Sequence, residues 1–312
     1  MPADTICIRG HFFLRRHNWR ETKFDVGRWN NKAPKTALSS ELQWEDCTLM
    51  PYTPAHPITA IALIWMFPNR FNKTGLVIGT MAPDLQNFIE LRPADTGFGH
   101  SALGMLTYGL PASIVLAFAF HRLVMPAAAV YLPKPLNRIA AKYWKQGWSV
   151  TGVRSWAVFL LSIALGMYSH LFLDGFSHKG GLMYPFATAT VEWMMPGVKS
   201  PGGVVQFVLS IVGIGIELLL LRVFVYRRRE EAAVLPDVRF RTKALFWLLV
   251  ASAIVLVTLI GMLMYRPHHF HHFRYMFYIL PIAPLTGAVL GIIAASALHA
   301  LFFEKWNKRM HL

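Results

Sequence analysis

The sequence predicts an all-α fold, a multi-pass integral membrane helix bundle of about five spans with short re-entrant or interfacial helices ahead of them. Three observations predict it. Of 312 residues, 54% are hydrophobic and only 15% charged, far from the composition of a soluble domain. The apolar residues gather into five runs, each reaching the ~20 residues that a helix needs to cross a bilayer. Lys and Arg, the source of a formal net charge of +15, fall mostly between those runs, where they act as topology signals rather than as a folded nucleic-acid-binding patch.

Taken in order, residues 1–49 hold eight Lys/Arg and six Asp/Glu and no apolar run of signal-peptide length. They read as an N-terminal extension: either an overextended start or a tail lying on the membrane through Phe12, Phe13, Trp19 and Trp29. The composition changes at Met50, so residues 50–312 are expected to form the membrane-embedded helical domain, with its polar site in 50–185. Two apolar pieces open it, residues 58–67 and 75–82, separated by Pro68-Asn69-Arg70-Phe71-Asn72-Lys73. Each is too short to span and is expected to be buried or re-entrant. The expected spans are residues 101–121, 156–176, 202–226, 244–265 and 275–303.

Charge then orients the bundle. Loop 122–155 carries Arg122, Lys134, Arg138, Lys142, Lys145 and Arg154 without an acid; loop 227–243 opens with Arg227-Arg228-Arg229; the tail adds Lys305, Lys308 and Arg309. These share one side by alternation, and the positive-inside rule makes it the cytoplasmic face of the cell (inner) membrane. Loops 177–201 and 266–274 fall outside. The only cysteines, Cys7 and Cys47, precede Met50, so the hydrophobic body has no disulfide framework and no thiol nucleophile or ligand.

Four polar motifs stand against this apolar background. In the last, His170, Asp174 and His178 lie one turn apart on one helix face. Two imidazoles and a carboxylate at that spacing suit a metal ion, although His170 and His178 are about 12 Å apart along an axis of 1.5 Å rise unless the helix bends at Gly175. The other three have structural readings when taken singly. Thr53 would cap a helix that Pro57 opens, fixing His56 at its start. Asp84 follows Pro83 and would be an N-cap. His100, between Gly99 and Ser101, would be an interfacial histidine beside a capping serine.

Together, Thr53-Pro54-Ala55-His56-Pro57, Gly79-Thr80-Met81-Ala82-Pro83-Asp84, Gly99-His100-Ser101 and Ser169-His170 through Asp174 to His178 resemble an uncharacterised bacterial multi-pass membrane family, a domain of unknown function. The order is similar to that in membrane-bound metal-dependent hydrolases and, more distantly, zinc-dependent phospholipase C. The resemblance covers residues 50–185 in motifs and runs more loosely to 303. It implies metal-ligand roles for His56, Asp84, His100, His170 and Asp174. The hydrolases carry Pro-Asp-x-Asp-His where this chain has Pro83-Asp84-Leu85-Gln86-Asn87, and His178 is the candidate replacement for a lost ligand.

A divalent metal, zinc or manganese, held by imidazoles and carboxylates with one open position brings the pKa of bound water to about 7. The expected function is therefore a metal-dependent hydrolase at the outer membrane surface acting on a phosphodiester or ester, with Asp84 as bridging ligand or catalytic base. A membrane lipid or lipid-linked molecule is the expected partner, and nucleic acid is not. The rival is a non-enzymatic membrane protein whose cluster is a structural metal site or part of an ion path; clustering at one surface rather than at the midplane of several spans argues against conduction. His268-His269-Phe270-His271-His272 is either an interfacial anchor or a second metal or headgroup site, and Glu217 is an acid inside a span with no partner nameable from sequence.

Overall fold

The computed structural model describes residues 53–91, 97–229, 238–264 and 274–310. Residues 1–49 and His268–His272 lie outside them. Among the described residues every regular element is helical. After a 3₁₀ turn at Thr53–Ala55 come α1, Pro57–Met66, and α2, Lys73–Gly79. Asn69 (φ 63°) turns the chain between them, and Asn72 starts α2 by accepting from the Gly75 N–H at 2.9 Å. A second 3₁₀ turn, Ala82–Asp84, leads into α3, Leu85–Glu90.

The long run α4, Ala102–Tyr131, follows. It contains two π-helical segments, Met105–Gly109 and Phe120–Val124, each just before a proline, Pro111 or Pro126. A proline has no N–H to bond back and its ring crowds the preceding turn, so the ladder widens there without breaking. The run continues past the expected end at His121, and Arg122 sits within the helix. The amphipathic α5, Leu136–Gln146, then buries Asn137, Ile139 and Ala141 and exposes Tyr143, Trp144 and Lys145. The remaining elements are α6, Gly152–Asp174; α7, Tyr184–Met194; α8, Pro201–Arg228; α9, Phe240–Met264; and α10, Arg274–Met310.

Among the described residues five helices are long and apolar enough to cross a membrane: α4, α6, α8, α9 and, within α10, Ile279–Phe302. Only 17–33% of an apolar 18-residue stretch in each is buried within the protein, so most of that apolar surface faces outward, as in lipid-exposed spans. The bundle is thus all-α and multi-pass, and α1 and α2 are the short, non-spanning pieces read from the sequence.

One helix contact positions everything that follows. Gly75-Leu76-Val77-Ile78-Gly79 on α2 is a GxxxG sequence laid against Phe159, Ser162, Ile163 and Gly166 of α6. A Cβ at Gly75 would stand 2.9 Å from the Phe159 ring, and one at Gly79 would collide with the Ile163 carbonyl oxygen. A Cβ at Gly166 would reach the Gly79 backbone at 2.9 Å. A helix that borders lipid has no hydrophobic gain from leaving it, so backbone approach through small residues carries the association of α2 with the span α6. Beneath the contact, Phe159, Ile163 and Met167 pack with Ala82, Met105 and Ala117 in one core cluster.

Candidate metal centre

The α2–α6 contact carries the chain beyond α2 onto the end of α6. The Thr80 carbonyl oxygen comes 2.7 Å from His170 Nδ1. A carbonyl only accepts, so Nδ1 holds the proton and the lone pair of Nε2 points the other way, the second partner that fixes the tautomer in metal-ligating histidines. The 3₁₀ turn then brings in Asp84, 4% exposed. Its Oδ2 accepts from Thr53 Oγ1 at 2.7 Å and its Oδ1 from Asn87 Nδ2 at 3.3 Å. Thr53 therefore holds the carboxylate and does not cap α1, which has no side-chain cap. Asp84 is fixed rather than loose in its turn.

His100 arrives by the same kind of close approach. A Cβ at position 99 would collide with the Pro83 carbonyl oxygen, so Gly99 lets its strand of chain press against the Pro83-Asp84 turn. Ser101 then caps the start of α4, accepting from the Gly104 N–H at 3.0 Å. His56, the last residue before α1, is fully buried, and its ring stacks on that of His170 with centroids 4.0 Å apart.

These side chains converge. His100 Nε2 lies 3.1 Å from His170 Nε2 and 3.2 Å from Asp174 Oδ2, and His170 Nε2 lies 3.1 Å from the same oxygen. Asp84 Oδ1 is 3.6 Å from His100 Nε2 and 3.7 Å from His170 Nε2. The other oxygen of Asp174, Oδ1, is 3.1 Å from His56 Nε2. Donors held 2.0–2.2 Å from one zinc ion at tetrahedral corners stand about 3.3–3.6 Å from each other. The separations that His100 and His170 make with each other, with Asp174 and with Asp84 bracket that range, and two triads, His56/His170/Asp174 and Asp84/His100/His170, each gather within 4.8 Å; the donor chemistry, imidazole with carboxylate, is that of zinc and manganese sites. The residues fit such an ion. Asp174 faces both ways: Oδ2 to this quartet, Oδ1 to His56.

His178 is not brought in. α6 ends at Asp174, and the chain turns at Gly175, which packs tightly against Gly181. His178 is consequently off the helical face that the i, i+4 spacing extends to it. It is exposed, with Nδ1 3.1 Å from the backbone oxygen of Asp174 and 3.2 Å from Ser177 Oγ. Sequence reasoning also gave Thr53 the role of a cap and passed over Asn87 and the Thr80 carbonyl, yet each of the three orients a donor. The GxxxG in α2 was the readable signal for the last.

With the site described, comparison with known proteins gives one match. A family defined as a domain of unknown function, DUF4184, covers residues 50–297. The chain belongs to the DUF4184 family. All five converging residues lie inside the matched region. No curated protein and no solved structure matches the chain.

Proposed function

We propose that this DUF4184 protein is a membrane-bound metal-dependent hydrolase acting on a lipid-like phosphodiester or ester. The observation that carries the reading is the set of separations, 3.1–3.7 Å, that His100 and His170 make with each other, with Asp174 and with Asp84. A bound zinc or manganese ion supplies a hydroxide near neutral pH and polarises the scissile oxygen. The rest is the protein's part. His170 is locked in one tautomer by Thr80, so its Nε2 is available without rotation. Asp174 faces the centre with one oxygen and His56 with the other. Asp84 turns Oδ1 to the centre while Thr53 holds Oδ2; as a ligand this oxygen would complete the donor set, and as the base, with His100, His170 and Asp174 left to hold the ion, it would take the proton of the water whose oxygen bonds to phosphorus or the acyl carbon and pass it to the alkoxide whose bond to that atom breaks. The His100 side chain, 20% exposed against 0–9% for His56, His170, Asp84 and Asp174, marks the side from which a substrate reaches the centre.

Two features support an amphiphilic substrate. The donors of α6 lie in its last turn, at the end of a span. Shortly beyond, α7 and its approaches expose Leu182, Phe186 and Trp193 at 75–85%, an apolar surface suited to an interfacial helix. A lipid tail can stay in the bilayer while its headgroup ester reaches the cluster. We place the site at the outer face of the inner membrane from the Lys/Arg distribution of the loops.

The near-complete burial of His56, His170 and Asp174 favours one alternative, a closed structural site. A single series separates the two. The protein is purified in detergent without chelator, its metal content is measured, and release of nitrophenol from bis(p-nitrophenyl) phosphate and a p-nitrophenyl ester is followed. The hydrolase reading expects zinc or manganese near one or two equivalents, hydrolysis, and loss of both in His170→Ala and Asp174→Ala. Metal without hydrolysis of these probes or of phospholipid vesicles points to the structural site. A protein that carries no metal and takes up neither added ion overturns both readings.

A further inference from the structure

The helix between the first two spans, α5, has two unlike sides. Leu136, Ile139, Ala140, Tyr143 and Trp144 follow one another at the steps that keep side chains on one side of a helix. Arg138, Lys142 and Lys145 repeat at steps of four and three on the opposite side. No acid balances them in sequence, since residues 122–155 hold no Asp or Glu. On the apolar side Ile139 is buried in the protein, whereas Tyr143 and Trp144, in the last turn, stay 36% and 39% exposed.

Contacts on both flanks fix where α5 lies. Tyr143 stacks on Phe224, with centroids 6.0 Å apart, one turn before α8 ends at Arg228. Just ahead of α5, the Tyr131 hydroxyl is 3.0 Å from His299 Nδ1, three residues before the span within α10 ends at Phe302. The Tyr131 carbonyl accepts from Trp247 Nε1 at 3.1 Å, two turns into α9. Just after α5, Trp148 meets the Phe159 ring edge-on at 5.8 Å, two turns into α6. The helix and its flanks are thus held near the same ends of α6, α8, α9 and α10. α5 lies across the span ends and continues none of them.

A helix so placed meets the boundary between acyl chains and headgroups. Trp and Tyr favour that layer, and a basic stripe opposite them reaches the phosphates. We propose that α5 is an in-plane interfacial helix that binds anionic phospholipid headgroups through Arg138, Lys142 and Lys145, with Trp144 seated among the acyl chains. The leaflet is the one on the side that the Lys/Arg distribution makes cytoplasmic. A zwitterionic headgroup carries its own cation beside the phosphate, so charge complementarity selects the anionic one. The inference is independent of the metal reading.

Two measurements on the full chain test it. With Cys7 and Cys47 replaced, a nitroxide is attached at Trp144→Cys or at Lys145→Cys and the protein is reconstituted in phosphatidylglycerol vesicles. The label at 144 should be quenched by dissolved oxygen, as in lipid, and the label at 145 by a water-soluble nickel complex. In neutral detergent, thermal unfolding is followed as phosphatidylglycerol or phosphatidylcholine is added. Phosphatidylglycerol should stabilise the wild type at lower concentration, and salt of about 1 M should erase the difference. Each Lys or Arg near an anionic surface contributes about fivefold, so Arg138→Gln/Lys145→Gln should need roughly 25-fold more phosphatidylglycerol while responding to phosphatidylcholine as before. If that variant does not fold, Lys145→Gln alone, at an exposed position, should show about a fivefold loss. Equal stabilisation of the wild type by the two lipids overturns the proposal, as does an unchanged phosphatidylglycerol requirement in either folded variant. So does a label at 144 that stays in water, which would leave the surface to a soluble partner.

Discussion

Gly79→Ala is the substitution that bears hardest on how the site is built. The added methyl would stand 3.0 Å from both Cα and the carbonyl carbon of Ile163, with the carbonyl oxygen closer still, where ordinary contact begins near 3.4 Å. These are backbone atoms of a long helix and cannot rotate away. α2 and α6 must therefore separate by several tenths of an ångström at least. Overpacking of this kind costs about 1–3 kcal/mol. The separation also acts on the hydrogen bond from His170 Nδ1 to the Thr80 oxygen, now 2.7 Å. Losing it would leave a buried donor unpaired, at a further cost of about 1–3 kcal/mol. A displacement of that size exceeds the tolerance of roughly 0.2 Å on metal–ligand distances. Thermal unfolding in detergent should move clearly downward, and zinc affinity should fall about 10–100-fold, as when an orienting partner is removed. Gly215→Ala is the control, because a Cβ there meets nothing within 4 Å; it should be neutral or slightly stabilising, by up to about 1 kcal/mol. If Gly79→Ala melts and binds zinc like the wild type, the close helix contact does not set the donor geometry and the reasoning fails.

Two further outcomes are expected. His178→Ala should keep its metal where His100→Ala loses most of it, since His178 packs on the backbone of Asp174 outside the donor set; equal metal loss in the two, measured on purified protein, would restore His178 to the site. In a background with Cys7 and Cys47 replaced, single cysteines in 177–201 should react with an impermeant thiol reagent in intact cells and those in 132–151 should not; the opposite pattern would put the site on the cytoplasmic side.

The spans were legible because a lipid-facing helix needs only length and apolarity, and both are local properties of the chain. The existence of α1 and α2 as short non-spanning helices was legible for the same reason. Their packing was not read, although Gly75 and Gly79 at a spacing of four were in plain view, because a GxxxG reveals its partner only once the facing helix is known. Of the polar motifs, His56, Asp84, His100, His170 and Asp174 converge. Spacing alone linked only the last two. The others are joined by the turns at Gly99 and at Ala82–Asp84, which are contacts between distant parts of the sequence. The same periodicity extended the helical face to His178, and there it went too far: a helix end depends on where the chain must turn, and Gly175 gives the turn. Thr53 looked like a cap because threonine before a proline-led helix usually is one. The nearer acceptor was a carboxylate 31 residues further along the chain.

The five converging residues are divided by two membrane crossings. His56, Asp84 and His100 precede α4, while His170 and Asp174 come at the far end of α6. During synthesis the chain must therefore thread two helices across the membrane before the first three residues meet the last two. Until then α1 and α2, too short to be retained as spans, have no α6 to pack on. A nascent chain halted before residue 170 lacks the donor on which His56 stacks and the carboxylate that both halves share. On the proposed metal reading, capture of the ion would be a late event of biogenesis, and a firmly held ion would report that the second membrane crossing is complete.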